Sequence, residues 1–358
     1  MKEIFFEIIS GKRKGLVPSL MRGGLWAMSY AYGMAVLIRN FGYDHGWKKV
    51  HSLKIPIISV GNLTTGGSGK TPFVEFLCRY LLEKGHQPVI LSRGYKSLSE
   101  GKNDEALVLE QNLKEVPHLC DPDRIRIAKQ AIKEYQPTCL VLDDGFQHRR
   151  IHRDLDILLV DGLCPFGYGY LLPRGLLREY LQSMKRAHLI CITRVNQIPS
   201  SSLLSLRKEI RRWTSAPILE TAINADHILK LEGHALLEIE SDYWKTKKAL
   251  AFCGLGNPAS FQKTLQKLGV DIVEFCSFSD HYHYQEKDIH KLASLARSKG
   301  ASFLITTQKD GVKIHNSPMP LLVVPIRFSL EYGEDTWEEI LKKTLEKGEG
   351  KAISSGNC

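Results

Sequence analysis

Short apolar runs alternate with longer segments of helical spacing from residue 52 onward. Strand-like runs, several of them ending at Gly or Asp, occupy residues 55–61, 88–94, 138–145, 156–162 and 188–194. Between them, residues 71–85 and 123–135 carry apolar side chains at helical intervals. Strands that alternate with helices form mostly parallel sheets, which need helices on both faces. The pattern therefore predicts an α/β fold with a mostly parallel sheet.

The same alternation starts again after residue 223. Strand-like runs at 249–256, 270–278 and 302–307 enclose helical patterns at 258–269 and 285–300. Residues 224–246 hold two shorter alternating runs, which are typical of a β connection. The pattern predicts a first domain over residues 1–223, a smaller α/β domain over 224–330 and a C-terminal segment over 331–358. That segment should form an amphipathic helix over 336–348, followed by a disordered tail.

Composition restricts the possible classes of protein. The chain has 358 residues, 43% of them hydrophobic, and a formal net charge of +10. These values fit a folded globular protein, and the charge favours an anionic partner such as nucleic acid, a phosphorylated substrate or an acidic membrane surface. Eight cysteines without a C-x-x-C pair indicate neither a disulfide scaffold nor a zinc ribbon. We expect the reduced thiols of a cytosolic protein.

The N-terminal region contains sixteen residues without a formal charge, 23–38, between Arg22 and Arg39. As a helix, this interval covers roughly 25 Å at about 1.5 Å per residue, which is short of the roughly 30 Å hydrocarbon core of a bilayer. Two interpretations remain open: a helix packed in the core, or a helix lying in the membrane interface with Trp26 at headgroup depth. Flanking basic residues, including Lys48 and Lys49, favour the second.

The strongest motif is VGNLTTGGSGKTP at residues 60–72. It follows a predicted strand and opens a predicted helix, where a P-loop cradles phosphates with backbone N–H groups. Lys70 would stabilise the moving phosphoryl group, and Thr71 would place its hydroxyl on Mg²⁺. The usual pattern has Gly where this chain has Thr64. The predicted nucleotide-binding residues are Thr64, Thr65, Gly66, Gly67, Ser68, Gly69, Lys70 and Thr71.

A second motif, CLVLDDGFQHRR, occupies residues 139–150. Its apolar run ends at Asp143 and Asp144, as in a Walker B strand whose carboxylate holds Mg²⁺ directly or through water. With Thr71, these are the predicted metal ligands. Together, the two motifs predict a P-loop NTPase-like fold.

Two further patterns have both a functional and a purely structural interpretation, and we favour the structural one. GLGNPA at residues 254–259 outlines a dinucleotide fingerprint, but Asn257 and Pro258 also suit a helix start. His148 and His152 have the i, i+4 spacing of zinc ligands without the glutamate of H-E-x-x-H.

Several motifs in sequence order resemble the tetraacyldisaccharide 4′-kinases of lipid A (lipopolysaccharide) biosynthesis. They are GNLTTGGSGKTP, SRGY at 92–95, NDE at 103–105, DDGFQHRR, LLPRGLLRE at 171–179, FSDHYHY at 278–284 and TTQKD at 306–310. The resemblance covers roughly residues 20–330. The chain departs from it at Gln308, where Glu is more usual, and at Asn103, where Gly usually precedes Asp-Glu.

The resemblance implies an ATP- and Mg²⁺-dependent kinase that phosphorylates the 4′-hydroxyl of a tetraacylated glucosamine disaccharide 1-phosphate. Such an enzyme would act as a peripheral protein at the cytoplasmic face of the inner membrane, with an anionic membrane surface as partner and with no nucleic acid or protein partner required. The catalytic base would be Asp104, in a short loop before the run 105–110, and its partner His281 from the second domain. The residues implied to lie near the phosphates or the acceptor are Arg93, Gln147, Arg178 and Glu179.

Other functions remain open at this point. A partitioning or carrier ATPase that acts on a protein partner often has a Lys where this P-loop has Thr65. A GTPase would place a guanine-reading N-K-x-D near residues 193–197, where the chain reads TRVNQ. A dehydrogenase would use GLGNPA to bind NADH, so the three alternatives differ from the kinase in the nucleotide or the acceptor that they need.

Overall fold

The structure is a computed structural model that describes residues 2–94, 104–225, 227–233, 235–255, 258–280 and 282–353, with side chains between residues 4 and 346 of these ranges. It divides into two compact units. Unit 1 consists of residues 1–93, 116–223 and 328–358, and unit 2 of residues 94–115 and 224–327.

The helices and strands follow the predicted alternation. The helices are α1 (Lys2–Ile9), α2 (Leu16–Asp44), α3 (Lys70–Glu83), α4 (Asp104–Asn112), α5 (Arg124–Tyr135), α6 (Ser200–Arg211), α7 (Asp242–Lys245), α8 (Pro258–Lys267), α9 (Glu286–Ser298), α10 (Gln308–Gly311) and α11 (Glu334–Ile353). The strands are β1 (Ile57–Asn62), β2 (Pro88–Ser92), β3 (His118–Cys120), β4 (Cys139–Asp143), β5 (Leu155–Asp161), β6 (Leu189–Thr193), β7 (Ile218–Asn224), β8 (Leu229–Glu232), β9 (Ala235–Glu238), β10 (Lys248–Cys253), β11 (Asp271–Ser277), β12 (Phe303–Thr307), β13 (Leu321–Val324) and β14 (Arg327–Tyr332).

Unit 1 is built on an eight-stranded sheet in the order β14-β7-β6-β5-β1-β4-β2-β3. The pairs from β7 across to β3 are parallel. All six residues of β1 are buried, and β1 lies between β4 and β5. Because ligands bind at the carboxyl ends of strands in open α/β sheets, this order places the loop after β1 beside the turn after β4. The predicted α/β fold is confirmed.

Unit 2 contains a six-stranded sheet in the order β11-β10-β12-β13-β8-β9. The four strands β10 to β13 pair in parallel, whereas β8 is antiparallel to β13 and to β9. The runs within 224–246 are therefore part of this sheet and not merely a connection. Two core clusters cover the sheet, one with Phe252 and Leu304 and the other with Ala251 and Phe303.

The boundary predicted at residue 223 coincides with that between the units, but two segments differ from the predicted bounds. Residues 94–115, which we placed in the first domain, belong to unit 2. The C-terminal segment belongs to unit 1, and its helix runs to Ile353, beyond the predicted end at residue 348. A glycine weakens a helix by only about 1 kcal/mol, so the glycines at 348 and 350 do not end it. Residues 354–358 of the predicted tail lie outside the described residues.

Helix α11 joins unit 1 through an aromatic cluster with α3. Trp337 is almost completely buried, with ring centroids 5.9 Å from Phe73, 5.6 Å from Phe76 and 5.6 Å from Tyr80. Lys84 adds an ion pair to Glu338 at 3.0 Å. Helix α11 therefore packs against α3, which begins with Lys70, and stabilises it.

Replacing Trp337 by alanine should lower the free energy of unfolding by about 3–5 kcal/mol, because it removes a large buried side chain and leaves a cavity. The measurement is urea unfolding followed by circular dichroism. Trp47→Ala is the matched control, since Trp47 is 75% exposed and its loss should cost less than about 1 kcal/mol. Equal effects of the two substitutions would contradict this packing.

Candidate active site

The P-loop turns at two glycines and leads into α3. Gly66 and Gly69 have φ values of 116° and 83°, in a region that glycine adopts without strain. The carbonyl of Ser68 accepts a hydrogen bond from the Thr193 hydroxyl at 3.0 Å, which ties the loop to the end of β6. Lys70 and Thr71 are the first two residues of α3, so the loop leads directly to a helix N-terminus.

Thr64, which replaces the usual glycine, is accommodated by a short pairing. It is buried and forms an antiparallel bridge with Leu177. The backbone N–H of Thr65 donates to the Leu176 carbonyl at 2.7 Å, and that of Arg178 donates to the Leu63 carbonyl at 2.7 Å. Thr64 has no positive φ, so its side chain costs no strain. The LLPRGLLRE segment thereby holds the start of the P-loop.

Lys70, Arg178 and Asp144 meet at the carboxyl ends of β1 and β4. Arg178 binds the Asp144 carboxylate with both terminal nitrogens, at 2.9 and 2.8 Å. The Lys70 ammonium lies 3.7 Å from the same carboxylate and donates to the Asn62 side-chain oxygen at 3.2 Å. Arg178 also donates to that Asn62 oxygen and, at 3.2 Å, to the Thr64 carbonyl. Two cations therefore converge beside the phosphate-binding loop.

The two carboxylates after β4 have opposite electrostatic environments. Burial raises the pKa of Asp143 above its ordinary value, with a smaller contribution from the neighbouring Asp144. Burial alone would also raise the pKa of Asp144, but Arg178 and Lys70 overcome it and hold the pKa well below its usual range. Asp144 is thus a firmly ionised carboxylate, whereas burial disfavours the charged form of Asp143.

The residues present fit a magnesium ion. The Asp143 Oδ1 atom is buried without a hydrogen-bond partner among the described residues, and its Oδ2 atom accepts from the Ser92 hydroxyl at 3.3 Å. Mg²⁺ in kinases is usually held by one or two carboxylates, water and the substrate phosphates. In the described part of the chain, no three His, Cys, Asp or Glu side chains form a metal-binding group. The predicted set of Thr71, Asp143 and Asp144 therefore suits an ion that arrives with the nucleotide.

Arg124 holds the turn that carries both carboxylates, and the sequence did not identify it. This nearly buried guanidinium donates to the backbone carbonyls of Asp143 and Asp144, at 2.5 and 3.0 Å. Burial lowers its pKa, although both aspartates oppose that effect. In the sequence, Arg124 is one of several basic residues at a helix start, so no pattern distinguishes it.

The TRVNQ run contacts the P-loop and strand β7. Arg194 donates to the Gly67 carbonyl at 2.8 Å and forms an ion pair with Asp161 at 2.8 Å. Asn196 donates to the Ile223 carbonyl at 3.2 Å, so its amide serves the backbone of β7. Arg194 is a further site residue that the sequence did not identify.

Gln147 and Arg93 lie near the same strand ends. The Gln147 amide donates to the Asn62 carbonyl at 2.8 Å, and its oxygen is buried without a hydrogen-bond partner among the described residues. Arg93 is exposed just after β2. The neighbouring His148 is neutral at physiological pH, because burial and then Arg124 lower its pKa to about 4. Gln147 and Arg93 both follow strands of the same sheet, and their roles near the phosphates or the acceptor stay predictions.

Glu179, which the resemblance implies to lie near the phosphates or the acceptor, is a buried and fully hydrogen-bonded carboxylate. Its side chain is fully buried and accepts hydrogen bonds from Arg39, Asn40, Ser183 and Arg186 at 2.7–2.9 Å. Burial would raise its pKa, but Arg186 and these donors keep the pKa below its usual value. A carboxylate with these partners positions the chain next to Arg178 and has no open face for a substrate. The burial of Glu179 was not predictable from the sequence, where the residue is seen only as the neighbour of Arg178.

Helix α2 packs on unit 1 with its small and polar residues. Ser29 donates to the Leu171 carbonyl at 2.8 Å, and Tyr32 donates to the Arg178 carbonyl at 2.9 Å. A side chain at Gly33 would overlap the Tyr180 ring, so glycine allows this close approach. The helix is therefore fixed directly to the segment that carries Arg178.

The large apolar side chains of α2 are exposed instead. Tyr30, Met34, Ile38 and Phe41 recur at helical spacing and are 43–67% exposed. The loop before α2 adds exposed Lys12, Arg13 and Lys14. This arrangement contradicts the core-helix interpretation, since a core helix buries its large apolar residues. None of the helices in the described ranges combines the length and apolar character that crossing a membrane requires.

Asp104 is the first residue of α4 in unit 2, not part of a loop as we predicted. An acidic residue in the first turn stabilises a helix, and Ala106 and Leu109 are buried at helical spacing. The side chain of Asp104 is buried, and Lys313 Nζ lies 3.4 Å from its Oδ2 atom. The predicted partner His281 lies outside the described residues.

Comparisons with known proteins indicate the family of the chain. The tetraacyldisaccharide-1-P 4′-kinase family model matches residues 21–346. The tetraacyldisaccharide 4′-kinase of Halothermothrix orenii is 36% identical over 308 residues, or 79% of this chain and 80% of that protein. That of Geobacter metallireducens is 36% identical over 323 residues, or 84% of this chain and 90% of that protein.

A solved structure extends the likeness to three dimensions. LpxK from Aquifex aeolicus in complex with ATP superposes with a TM-score of 0.74 at 31% sequence identity, over 91% of this chain and 99% of that one. The match of the family model over most of the chain, together with these relatives, shows that the chain belongs to the tetraacyldisaccharide-1-P 4′-kinase family.

Proposed function

We infer that this chain is a tetraacyldisaccharide 4′-kinase, which transfers the γ-phosphate of ATP to the 4′-hydroxyl of a tetraacylated glucosamine disaccharide 1-phosphate in lipid A biosynthesis. The observation that carries the assignment of the nucleotide site is the convergence of Lys70 and Arg178 on Asp144 beside the P-loop. Family membership does not favour the alternative of a partitioning ATPase.

We assign the phosphates of ATP to the backbone N–H groups of residues 65–71 and to Lys70. In the structure, the Lys70 ammonium is held by Asn62 and Asp144. Both contacts are replaceable by phosphate oxygens, because the ammonium is on a flexible side chain. Arg178 offers a second cation for the charge that develops on the transferred group.

Thr71, Asp143 and Asp144 would hold Mg²⁺, which supplies charge neutralisation between the β- and γ-phosphates when it is bound. Asp143 has the open oxygen atom and Asp144 has two cationic partners. We therefore assign metal affinity mainly to Asp143, and to Asp144 the orientation of Lys70 and Arg178.

This division predicts different responses to magnesium. Asp143→Asn should raise the Mg²⁺ concentration needed for half-maximal activity about tenfold or more, and excess Mg²⁺ should restore much of the rate. Asp144→Asn should stay slow at any Mg²⁺ concentration, because its loss releases both cations. Initial rates over a Mg²⁺ titration test this. Full activity of both variants at limiting Mg²⁺ would rule out the metal assignment.

Asp104 is the proposed general base, and His281 its proposed partner. A sugar hydroxyl is a poor nucleophile at neutral pH, so a carboxylate that accepts its proton as the new bond forms accelerates transfer. Asp104 matches the base in the motif by which the chain resembles its family.

The choice of nucleotide and acceptor provides the test of the function as a whole. Phosphate release and lipid phosphorylation are measured with ATP or GTP, each with and without the disaccharide 1-phosphate in detergent micelles. A kinase of this family should consume ATP only when the acceptor is present. Equal ATP consumption without acceptor would favour a carrier ATPase, and a preference for GTP would favour a switch.

We further propose that the protein acts at the cytoplasmic face of the inner membrane as a peripheral protein, with α2 in the interface. The exposed apolar stripe of α2 supports this, as do the basic residues beside it. Arg39 is less available to anionic lipid headgroups, because its guanidinium is paired with Glu179.

The double variant Met34→Gln/Ile38→Gln should weaken binding to anionic vesicles about tenfold or more, because both side chains lose apolar contact with lipid. Glutamine is a good helix former, so α2 should persist. Co-sedimentation with phosphatidylglycerol vesicles measures the effect, and added salt should weaken binding of the wild-type protein. Leu204→Gln changes an exposed apolar residue of α6 and should leave binding unchanged. If the double variant bound the vesicles as well as the wild-type protein, the proposal that α2 lies in the membrane interface would be wrong.

A further inference from the structure

A buried lysine joins the proposed base to the ends of the unit 2 strands. The side chain of Lys313 is only 4% exposed. Its ammonium lies 3.4 Å from Asp104 Oδ2 and 2.9 Å from Asp310 Oδ1, and it donates to the Tyr282 carbonyl at 3.0 Å. A buried ammonium is stable only when its charge is compensated. Two carboxylates share that compensation here, and one of them is Asp104.

Asp310 is fixed on its other side. Its Oδ2 atom accepts from the backbone N–H of Gly254 at 2.9 Å and from the Thr307 hydroxyl at 2.8 Å. Gly254 follows β10 and Thr307 ends β12, so the network stands at the carboxyl ends of parallel strands, where ligands bind in such sheets. The strand ends therefore hold Asp310, and Asp310 in turn holds the Lys313 ammonium.

The same segment also holds the far end of α4. The Gln308 amide donates to the side-chain oxygens of Gln111 and Asn112, at 2.8 and 2.6 Å. Lys313 contacts the first residue of α4, and Gln308 contacts its last turn. Residues 308–313, the α10 segment, therefore fix the position of Asp104. The residue that follows His281 in the chain, Tyr282, is held by the same ammonium.

We propose that Lys313 is a positioning residue for the Asp104 base: its ammonium keeps the buried carboxylate ionised and oriented, and Asp310 moderates that effect by sharing the ammonium. This inference rests on the proposed role of Asp104 in the kinase. The titratable and charged groups that α4, the α10 segment and the loop before α9 bring together in the described residues are Asp104, Glu105, Glu110, Lys309, Asp310, Lys313, Tyr282 and Tyr284.

The two neighbours of Asp104 should shift its titration in opposite directions. Without the ammonium, burial favours the protonated acid, so Lys313→Met should move the acidic limb of the pH–rate profile upward by about one pH unit or more. Without the competing carboxylate, the ammonium belongs to Asp104 alone, so Asp310→Asn should move that limb downward. The measured quantity is kcat/KM for the disaccharide 1-phosphate at saturating ATP.

The rate at each pH is divided by the folded fraction of the variant, measured by circular dichroism at that pH, because loss of a buried charge can make folding depend on pH. Lys263→Met, on the exposed face of α8, is the control and should leave the limb in place. An unchanged midpoint in Lys313→Met would overturn the inference. Asp104→Asn separates the two proposals. If that variant is active with a normal acidic limb, the assignment of Asp104 as the base is wrong. If Asp104→Asn is inactive and Lys313→Met leaves the limb in place, only the role of Lys313 is wrong.

Discussion

Lys70→Met is expected to reduce phosphoryl transfer by about a hundred- to a thousandfold or more, while the protein keeps its fold. The Lys70 ammonium is a positive charge at the start of α3, beside Asn62 and Asp144, and we propose that it binds the γ-phosphate. Removing a preorganised group that stabilises transition-state charge typically has this effect on turnover. Affinity for ATP should fall much less, because the backbone N–H groups of residues 65–71 still bind the phosphates. Single-turnover transfer and equilibrium ATP binding are the two measurements.

Lys208→Met provides the matched control for Lys70→Met. Lys208 is exposed on α6, so its replacement should change neither transfer nor ATP binding. Near-normal turnover of Lys70→Met would refute the assignment of the nucleotide site, whatever the control shows.

Asp104→Asn is expected to slow the chemical step by about a hundred- to ten-thousandfold, the usual range for a lost general base. The amide has nearly the shape of the carboxylate but does not accept the proton. ATP binding should be nearly unchanged, because the proposed role of Asp104 is to accept the proton of the acceptor hydroxyl and not to hold the nucleotide. His281→Ala should also be slow. The double variant should be much less than multiplicatively slower, since residues that act as a unit are not additive.

Asp271→Asn is the control for Asp104→Asn, because Asp271 is exposed at the amino end of β11. It should leave the chemical step unchanged. Multiplicative losses in the double variant would count against a pair formed by Asp104 and His281. Weakened ATP binding in Asp104→Asn would assign that carboxylate to the metal or the nucleotide instead.

Local sequence patterns predicted the elements of the nucleotide site well. The apolar run before Asn62, the glycines of the loop and the helix after Lys70 each carry their own signal, and the structure has them in that order. The same is true of the strand that ends at Asp143. In these segments, hydrophobic periodicity and glycine placement act over a few residues, so no distant contact is needed to interpret them.

The contacts that complete the site could not be predicted in this way. Arg124, Asn62 and Lys313 act through partners far away along the chain, such as the carbonyl of Asp143 for Arg124 and Asp104 for Lys313. A buried cation and a solvated one look alike in a sequence, because the difference arises only when helices and strand ends are packed. The contacts of Glu179 with α2 were equally hidden, because its partners Arg39 and Asn40 lie about 140 residues earlier in the chain.

The division of the chain was predicted only in part for a related reason. The boundary at residue 223 follows from a change in local pattern. Residues 94–115, by contrast, belong to unit 2 because α4 packs against α10, about two hundred residues later. Helix α11 returns to unit 1 through Trp337, whose burial no local pattern indicates.

The measurement that most directly tests the central claim is the structure of the lipid product. The purified protein is incubated with ATP, Mg²⁺ and the tetraacylated glucosamine disaccharide 1-phosphate in detergent micelles, and the lipid is examined by mass spectrometry and phosphorus–proton NMR. The account predicts one added phosphate, attached as a monoester at the 4′ position, and no such product with Lys70→Met. Formation of ADP with the lipid unchanged, or phosphate attached elsewhere on the sugar, would contradict it.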